Sequence, residues 1–345
     1  MAEIAHENGA VVEKFTLLDD AIEWFNETKA AIRTGHYVEA EFRDCTLIEF
    51  VPKWKGSKSR AGERTMLRYA DLLSNQILPT FGTTRLVTIS NKSVQAWIQG
   101  LQRAGVSSSN QRKALALLKN ILKQAEIDGA ITRAPIISVE LPNQVKKTQR
   151  ALTHIELNLL AKECGPYQDL VLVLGSMGLR ISEARALTVA DVDFGRNQLL
   201  VSKAFTIDAT YKRVLGPTKT RQSRTIPIPN AVVEMLRARV KGKLPSAWIF
   251  TGSRGEPLSD GWFRKRWFNP AITELGLDEV TIHTLRHTCA SLLIQQGAQI
   301  TTVSRILGHS TVMQTLNTYG HYYQDDLETS LQLLDTTLSE LRNAG

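Results

Sequence analysis

The chain has 345 residues, enough at roughly 150 residues per domain for about two domains that each bury a hydrophobic core. Hydrophobic residues make up 43% of the sequence and charged residues 22%, a globular composition that excludes a disordered or fibrous chain. Lysine and arginine number 42 against 34 aspartate and glutamate residues, and the net charge of +8 raises the expectation of a polyanionic partner such as nucleic acid.

The predicted elements begin with a short N-terminal segment, residues 1–42. Its pattern predicts a strand at residues 10–15 and a helix at residues 18–34. Asp19 lies in the first turn of that helix and Gly35 follows its last turn, and both residue types are typical of helix ends. The apolar positions of the helix form one face, which suits docking on the rest of the protein.

Residues 43–134 have a purely helical pattern. Apolar residues spaced three and four apart predict a small bundle of four helices, at residues 47–54, 62–78, 91–103 and 107–127. Asn91 and Ser107 are typical of helix starts, and Gly105 and Gly129 are typical of helix stops.

Basic residues cluster at the joints of this bundle. As candidates for DNA contact we take Lys53, Lys55, Lys58, Arg60, Arg64, Arg112 and Lys113. Lysine and arginine on a solvated helix face also serve solubility alone, so the pattern leaves both interpretations open for each of them.

Residues 135–150 are the predicted linker. They contain two prolines, show no helical period and carry Lys146, Lys147 and Arg150, which are further candidates for DNA contact. An extended basic segment of this kind suits a chain that wraps a duplex, and it equally suits a plain tether between domains.

From residue 151 onwards the pattern mixes helix and strand. Strands are predicted around residues 199–205, 211–215 and 224–228, and helices at residues 153–164, 167–177, 230–241, 260–275, 284–296, 300–307 and 312–319. A helical first half followed by a mixed second half predicts two domains of different architecture. No internal repeat of fixed period is present.

The first of four motifs in the second half is GLRISEARAL, at residues 178–187. Gly178 permits a sharp entry into a helix, and Glu183 suits the first turn of that helix. Arg180 then lies beside the positive end of the helix, where phosphate oxygens are favoured. By itself this motif is weak, because an arginine at a helix start is commonly a surface residue.

The second and third motifs add a lysine, an arginine and two histidines. Residues 217–227 predict a turn between two strands, a hairpin that holds Lys219 at its tip. His283, Arg286 and His287 start a helix at separations of three and four, so at least two of them face a common centre. No carboxylate lies at a spacing that would complete a metal site with these histidines.

The fourth motif spans two helix ends. The letters LGHS place His309 directly after a glycine that ends one helix, and the letters YGH place Tyr319 at the end of the next helix. Tyr322 and Tyr323 follow closely and compete with Tyr319 for any role that needs a phenol.

Together these motifs resemble those of the tyrosine recombinase, or phage integrase, family. GLRISEARAL is similar to the family's first arginine motif, TKT to its lysine hairpin, HTLRH to its His-x-x-Arg box, and LGHS followed by NTYGH to its last histidine and nucleophilic tyrosine. The order and spacing agree over residues 151–325. More diffusely, residues 45–134 resemble the family's helical core-binding domain, and residues 1–42 resemble an arm-type DNA-binding domain reduced to one strand and a helix.

The resemblance implies a role for each motif residue. Arg180 and Arg286 would clamp the non-bridging oxygens of a scissile phosphate. Lys219 would protonate the leaving 5′-oxygen, and His309 would donate to a phosphoryl oxygen. Arg221, two residues after Lys219, is a further candidate for DNA contact.

The implied nucleophile is Tyr319, which would form a 3′-phosphotyrosine bond while His283 assists removal of its proton. Glu183 would orient the basic cluster. A phenol of pKa about 10 costs about 4 kcal/mol to ionise at pH 7. The surrounding cations would offset that cost by electrostatic stabilisation.

The implied fold is a multidomain, mainly α protein with a small β-sheet. It contains a SAM-like helical core-binding domain at residues 43–134 and a mixed α+β catalytic domain at residues 151–324. The implied activity is site-specific DNA recombination, which integrates or excises a phage or mobile element through a Holliday junction. Two alternatives stay open: a nicking and closing enzyme of the type IB topoisomerase kind, and a catalytically silent DNA-binding regulator on the same scaffold.

The last predicted element is a helix within residues 325–345. Its leucines form one apolar stripe, at Leu327, Leu331, Leu334, Leu338 and Leu341. The stripe packs on its own domain or, as the resemblance favours, docks into a neighbouring protomer of a tetramer on DNA. The implied partners are therefore double-stranded DNA attachment sites and further copies of the chain, with a directionality factor or a host DNA-bending protein as an additional candidate.

No membrane, metal or nucleotide partner is expected. No run of about 18 apolar residues is present and residues 1–10 lack the features of a secretory signal, so we expect a protein of the bacterial cytoplasm that associates with DNA. The three cysteines are odd in number and form no CxxC pair, which argues against a disulfide framework and structural zinc. With no metal-ligand cluster and no GxxxxGK[ST] motif, neither Mg²⁺ nor ATP is expected as a cofactor.

Overall fold

A computed structural model of the chain contains two compact units, Met1–Lys146 and Lys147–Gly345. The structure describes residues 2–6, 9–33, 42, 44–59, 61–141, 150–218, 222–320, 331, 334, 335 and 339. Within these residues no helix has both the length and the apolar character needed to cross a membrane. The predicted architecture, mainly helical with small antiparallel sheets, is confirmed.

The N-terminal segment contains two strands and one helix. Strand β1 (Ala2–His6) pairs antiparallel with β2 (Gly9–Glu13), and helix α1 (Leu18–Arg33) follows. The predicted single strand at residues 10–15 was therefore wrong in both number and extent. The sequence of β1, AEIAH, holds mostly residues of low strand propensity, and it forms a strand because β2 supplies its hydrogen-bond partners.

The helical bundle of the first unit has the predicted helices with one change. It is built from α2 (Leu47–Gly56), α3 (Glu63–Leu72), α4 (Leu78–Phe81), α5 (Asn91–Arg103) and α6 (Ser108–Ile127). The helix predicted at residues 62–78 is interrupted by a π-helical turn at Leu73–Ile77, which ends two residues before Pro79. In an α-helix a proline ring clashes with the carbonyl four residues earlier, and the wider turn relieves that clash.

The core of the bundle forms where α2 packs against α6. Trp54, Leu118 and Ile121 are fully buried, and each such side chain contributes about 1.5–3 kcal/mol of hydrophobic stabilisation. The indole N–H of Trp54 donates a hydrogen bond to Asn120 Oδ1 at 3.0 Å. The bundle therefore buries Trp54 without leaving the indole donor unpaired.

The second unit opens with α7 (His154–Glu163), α8 (Gln168–Met177) and α9 (Ile181–Ala184). Its strands are β3 (Val192–Asp193), β4 (Gln198–Val201), β5 (Lys203–Ile207), β6 (Arg213–Pro217) and β7 (Arg224–Pro227). Helices α10 (Asn230–Val240), α11 (Asp260–Phe263), α12 (Asn269–Glu274), α13 (Ile282–Gln295), α14 (Ile300–Leu307) and α15 (Val312–Tyr319) follow. The helix predicted at residues 260–275 is divided by a second π-helical turn, Arg264–Phe268, which again ends two residues before a proline, Pro270.

The strands of the second unit form two separate sheets. Strands β3, β4 and β7 make one sheet, and β5 pairs with β6 in the other. The strand predicted at residues 199–205 is thus two strands. The predicted hairpin around Lys219 was also wrong, because β6 and β7 do not pair with each other. The hairpin closes instead between β5 and β6, where Asp208 Oδ1 accepts hydrogen bonds from the backbone N–H groups of Thr210 and Lys212 and so makes a tight polar turn.

The core of the second unit is centred on α8, which packs against α7 and α13. Its fully buried side chains include Leu160, Leu170, Leu174, Leu199, Phe250 and Phe263. This packing fixes the C-terminal end of α8 and the N-terminal half of α13 next to each other, and both ends carry motif residues.

Two neighbouring leucines on α7 test this core. Leu160 has no exposed surface, whereas Leu159 is 46% exposed. We expect Leu160→Ala to lower the free energy of unfolding of the second unit by about 2–5 kcal/mol, because it leaves a cavity. Leu159→Ala is the matched control and is expected to cost less than about 0.5 kcal/mol. Chemical denaturation measures both values, and similar losses would contradict the described packing of α7.

Candidate active site

The turn after α8 sets the geometry of the first arginine motif. Gly178 ends α8 with a φ angle of 63°, and a Cβ atom there would lie 2.6 Å from Leu307 Cδ2. Glycine alone satisfies both the backbone angle and the available space. The turn places Arg180 as the N-cap of α9, and the Gly178 carbonyl oxygen accepts a hydrogen bond from Arg286 Nη1 at 2.8 Å.

Glu183 is the buried anion of the site. The backbone N–H of Arg180 donates to Glu183 Oε2 at 3.0 Å, and Arg180 Nη1 donates to Oε1 at 2.8 Å. Arg224 Nη2 donates to Oε2 at 2.8 Å from the opposite side. Burial raises the pKa of the Glu183 carboxyl, but the hydrogen bonds and charges of Arg224 and Arg180 outweigh burial and hold the pKa below its usual value.

Arg224 is a member of this site that the sequence analysis missed. It is the first residue of β7, and its Nε donates to the carbonyl oxygen of Ile306 at 3.0 Å. A signal was present, because alternate residues of a strand share a face and Ile226, two positions later, is buried. An arginine on an inward face needs an anionic partner, and Glu183 provides it.

Gly308 brings the end of α14 against these guanidinium groups. Its φ angle is 65°, and a Cβ atom there would lie 2.8 Å from Arg224 Nη1. The Gly308 carbonyl oxygen accepts a hydrogen bond from Arg180 Nη2 at 3.4 Å. The glycine of the LGHS motif therefore lets the backbone before His309 approach the arginine cluster closely.

Arg286 is almost fully buried, with 2% of its surface exposed. Burial, followed by the positive charge of Arg180, lowers the pKa of its guanidinium to about 10, yet the group stays protonated at neutral pH. In the part of the chain that the structure describes, Arg286 Nη2 is buried and has no hydrogen-bond partner. Such a donor costs about 1–3 kcal/mol, which a bound anion would offset.

His309 lies next to Thr315 of α15. Its Nδ1 is 2.8 Å from Thr315 Oγ1, and Thr315 is fully buried. Burial, followed by the charges of Arg286 and Arg180, lowers the pKa of the His309 imidazole to about 4. The ring is therefore neutral at pH 7, and it donates a hydrogen bond only from the nitrogen that carries its proton.

The phenol of Tyr319 contacts a histidine for which the sequence analysis gave no role. Tyr319 is 3% exposed, and its hydroxyl oxygen lies 2.6 Å from His287 Nδ1. His283, the histidine expected to assist the phenol, is exposed and packs edge-on against His287 with ring centroids 4.9 Å apart. Spacing of three and four on α13 indicated a common side for these residues, but it could not choose between the two histidines.

Two of the predicted site residues, Lys219 and Arg221, lie outside the described residues. The same holds for Arg60, Lys146 and Lys147, three of the predicted DNA contacts. Of the remaining predicted contacts, Lys53, Lys55, Arg64 and Arg150 are exposed, and Lys58, Arg112 and Lys113 are partly buried.

Some of these basic side chains already interact within the protein. The Nζ atoms of Lys53 and Lys58 lie 4.1 Å and 5.6 Å from the ring centroids of Phe42 and Trp54, distances at which a cation interacts favourably with an aromatic face. Arg150 forms a solvent-exposed ion pair with Glu156. The DNA-contact roles of these residues stay predictions.

The arginine cluster borders a cleft. A cavity of about 670 Å³ lies between β7 and residues 301–312, and Arg224 and His309 are among the residues on its wall. Ser310 and Thr311 add hydroxyl groups to the same wall. Arg224 therefore links the arginine cluster to a space that is open to a ligand and carries basic and hydroxyl side chains on its wall.

Comparison with known proteins places the chain among integrases. The phage integrase family model matches residues 148–325, slightly more than half of the chain, and the model of the phage integrase N-terminal SAM-like domain matches residues 46–102. The integrase of Mycobacterium phage FRAT1 is 27% identical over 307 residues, which cover 85% of this chain and 91% of that protein.

Solved structures share the fold. The Tn1549 transposon integrase, in complex with a circular intermediate DNA, is similar with a TM-score of 0.73 and 20% identity, and the match covers 84% of this chain and 99% of that one. A lambda integrase tetramer bound to a Holliday junction gives a TM-score of 0.60 and 16% identity, covering 91% of each chain.

The buried arginine cluster, the tyrosine at the end of α15 and the two domain matches define one class of enzyme, the site-specific DNA recombinase. The chain belongs to the phage integrase family of tyrosine recombinases. The expected SAM-like helical domain and mixed catalytic domain are confirmed. The topoisomerase-like and catalytically silent alternatives are not favoured, because the matched models and relatives are integrases.

Removing the charge of Glu183 tests the ion network. Glu183→Gln leaves two poorly exposed guanidinium groups without their shared anion, so we expect the free energy of unfolding of the second unit to fall by about 2–4 kcal/mol. Asp260→Asn is the control, because Asp260 pairs with Arg264 at 3.0 Å but both side chains are partly exposed; its expected cost is below about 1 kcal/mol. Equal losses in denaturant titrations would contradict the central position of Glu183.

The neutral histidines predict a dependence of stability on pH. His287 and His309 have pKa values of about 4 in the folded protein, against about 6.5 in an unfolded chain. Between about pH 4 and pH 6.5 the unfolded chain therefore binds more protons than the folded protein. The contribution of these two histidines to stability is fully present above about pH 6.5 and is lost as the pH drops towards 4. We expect His309→Asn to lose less melting temperature than the unaltered protein between about pH 7 and pH 5.

Scanning calorimetry across this pH range measures the effect. His154→Asn is the matched control, because His154 is exposed at the start of α7, and this variant is expected to follow the unaltered protein. A parallel loss of melting temperature in His309→Asn and the unaltered protein would contradict the inference that the His309 ring is neutral.

Proposed function

We propose that this recombinase cuts a DNA strand by attack of the Tyr319 phenol on a phosphodiester held by Arg180 and Arg286. The proposed product is a 3′-phosphotyrosine bond, which the 5′-hydroxyl of a second duplex reverses. Two such exchanges pass through a Holliday junction. The proposed outcome is the integration or excision of a phage or other mobile element in the cytoplasm of a bacterial host.

The observation that carries this proposal is the state of Arg286. Its guanidinium is buried and protonated, one N–H group binds the Gly178 carbonyl, and Nη2 has no partner within the described residues. The phenol of Tyr319 is close enough to influence the pKa of this guanidinium. A phosphodiester oxygen beside Nη2 would provide the missing acceptor and would lie near the attacking group.

Arg180 and His309 supply two further contacts in the proposal. One edge of the Arg180 guanidinium binds Glu183 while the side chain keeps 20% exposure, so its remaining N–H groups are available to a phosphate oxygen. Donation from the Thr315 hydroxyl to His309 Nδ1 would keep the imidazole proton on Nε2. That nitrogen would then donate to a phosphoryl oxygen as negative charge develops on it.

The proposed acid for the leaving 5′-oxygen is Lys219, with Arg221 as a nearby contact to the DNA backbone. The other proposed backbone contacts are Lys53, Lys55, Lys58, Arg60, Arg64, Arg112, Lys113, Lys146, Lys147 and Arg150. Contacts of this kind release counterions from DNA, so we expect binding to weaken steeply as salt is added.

The proposed assembly on DNA is a tetramer. A lambda integrase of the same fold forms a tetramer on a Holliday junction. Leu331 and Leu334, two leucines of the C-terminal stripe, are helical and 60% and 57% exposed, which favours docking of this stripe into a neighbouring protomer. Leu327, Leu338 and Leu341 lie outside the described residues. A directionality factor or a host DNA-bending protein is a further proposed partner.

Covalent capture tests the nucleophile and finds the DNA site together. The purified chain is incubated with sheared DNA from the source element and its host, denatured with detergent, and the attached DNA is isolated and sequenced. We expect one or two discrete sequences with the unaltered chain and none with Tyr319→Phe, because phenylalanine lacks the attacking oxygen. Tyr322→Phe and Tyr323→Phe are the matched controls and are expected to keep the adduct.

Other results of the covalent-capture experiment would contradict parts of the proposal. Scattered sequences would favour a nicking and closing activity over site-specific exchange. An adduct that survives Tyr319→Phe and is lost in Tyr322→Phe or Tyr323→Phe would move the nucleophile to that phenol. The absence of any adduct from DNA that carries the element's own junctions would contradict the proposal.

A further inference from the structure

We propose that His287 is the catalytic base that removes the phenol proton of Tyr319 during DNA cleavage. This inference rests on the proposed function, in which Tyr319 is the nucleophile. A catalytic base must lie within hydrogen-bond reach of the proton it abstracts, at about 2.6–3.2 Å. The Tyr319 hydroxyl oxygen lies 2.6 Å from His287 Nδ1, within this range.

Helix α13 explains how one segment serves both partners of the reaction. Successive residues of an α-helix point about 100° apart, so Arg286 and His287 face different directions from adjacent positions. The Arg286 side chain reaches the Gly178 carbonyl, and the His287 side chain reaches the phenol at the end of α15. The proposed phosphate ligand and the proposed base are adjacent residues of one helix, and the helix backbone therefore fixes their positions relative to each other.

The surrounding protein groups keep the His287 ring neutral at pH 7. Burial, followed by the charges of His283 and Arg286, lowers the pKa of the imidazole to about 4. Tyr319 faces the ring from α15, and His309 is near enough for its own pKa to be influenced by His287. A neutral imidazole has one nitrogen with a free lone pair, and a hydrogen bond donated by the phenol puts that lone pair on Nδ1.

Because His287 is a weak base, removal of the Tyr319 proton depends on the binding of DNA. A phenol of pKa about 10 does not pass its proton to a base of pKa about 4 at equilibrium, because the difference amounts to about 8 kcal/mol. A phosphodiester beside Arg286 would offset the positive charge that disfavours a protonated His287. The substrate phosphate would therefore raise the basicity of His287 and at the same time consume the phenolate as it forms.

The proton balance of the step is complete. The Tyr319 proton moves to His287 Nδ1 as the phenol oxygen bonds to phosphorus, and the bond from phosphorus to the 5′-oxygen breaks. That oxygen takes a proton from the acid, proposed above as Lys219. In rejoining, the attacking 5′-hydroxyl gives its proton back to this acid, and the imidazolium of His287 returns its proton to the departing phenol oxygen.

The decisive variant is His287→Asn. Asparagine Oδ1 lies close to the position of histidine Nδ1, so the variant keeps an acceptor for the phenol but cannot take its proton. The probe is the DNA recovered by covalent capture, synthesised with a nick beside the cleavage site so that the cleaved end diffuses away. We expect formation of the covalent adduct in a single turnover to slow by about a hundredfold, while DNA binding and melting temperature stay at the level of the unaltered protein.

A more acidic phenol at position 319 shows whether His287 removes the phenol proton or only positions Tyr319. Fluorinated tyrosine, incorporated at position 319, loses its proton without strong help. We expect it to accelerate His287→Asn at least tenfold and to change the unaltered protein little, because only the variant lacks a base. His283→Asn is the matched comparison on the same helix, and we expect fluorination to accelerate it no more than it accelerates the unaltered protein.

The outcomes distinguish this inference from the proposed function. Cleavage by His287→Asn at the unaltered rate, or a slow rate that fluorination does not restore, overturns the role of His287 and leaves Tyr319 as the nucleophile. Failure of the unaltered protein to form any adduct overturns the proposed function itself.

One measurement needs no variant at all. Nitrogen NMR of the histidine-labelled protein should show His287 Nδ1 unprotonated and Nε2 protonated at neutral pH. A proton on Nδ1 would overturn the inference, because Nδ1 would then donate to the phenol oxygen and could not accept its proton.

Discussion

The catalytic unit depends on one buried carboxylate. Glu183 binds Arg180 at the start of α9 and Arg224 at the start of β7, and Arg224 in turn binds the carbonyl of Ile306 in α14. A buried charge is costly without its partners, so these three elements are constrained to meet around Glu183. The network therefore also positions Gly308 and the histidine that follows it.

The site carries more positive charge than Glu183 neutralises. Arg286 is buried with an unpaired donor among the described residues, and its charge contributes to the low pKa values of His287 and His309. A phosphodiester would supply the missing negative charge, pair the donor and raise the basicity of His287. In this view the DNA phosphate completes the electrostatics of the site, and the nucleophile is activated only when that phosphate is in place.

Local signals predicted much of the fold. The helices at residues 300–307 and 312–319 have the predicted bounds because each is delimited by nearby residues, such as Gly308 after α14. The π-helical turns that interrupt two predicted helices shortly before a proline were not predicted, and neither was the pairing of β5 with β6. Strand partners are chosen by contacts distant in sequence, and a single π-helical turn widens a helix only locally, which leaves little trace in the sequence pattern.

The sequence by itself determined the family, the two-domain organisation and the order of Arg180, Arg286, His309 and Tyr319, because residue types and helix ends are local properties. Only the tertiary structure decided that Arg224 joins Glu183, 41 residues away, and that His287 contacts Tyr319 across 32 residues. Helical spacing tells which side of α13 a residue occupies. Which of two histidines on that side meets a phenol is decided by how the helices after α13 pack against it, and no local pattern encodes that packing.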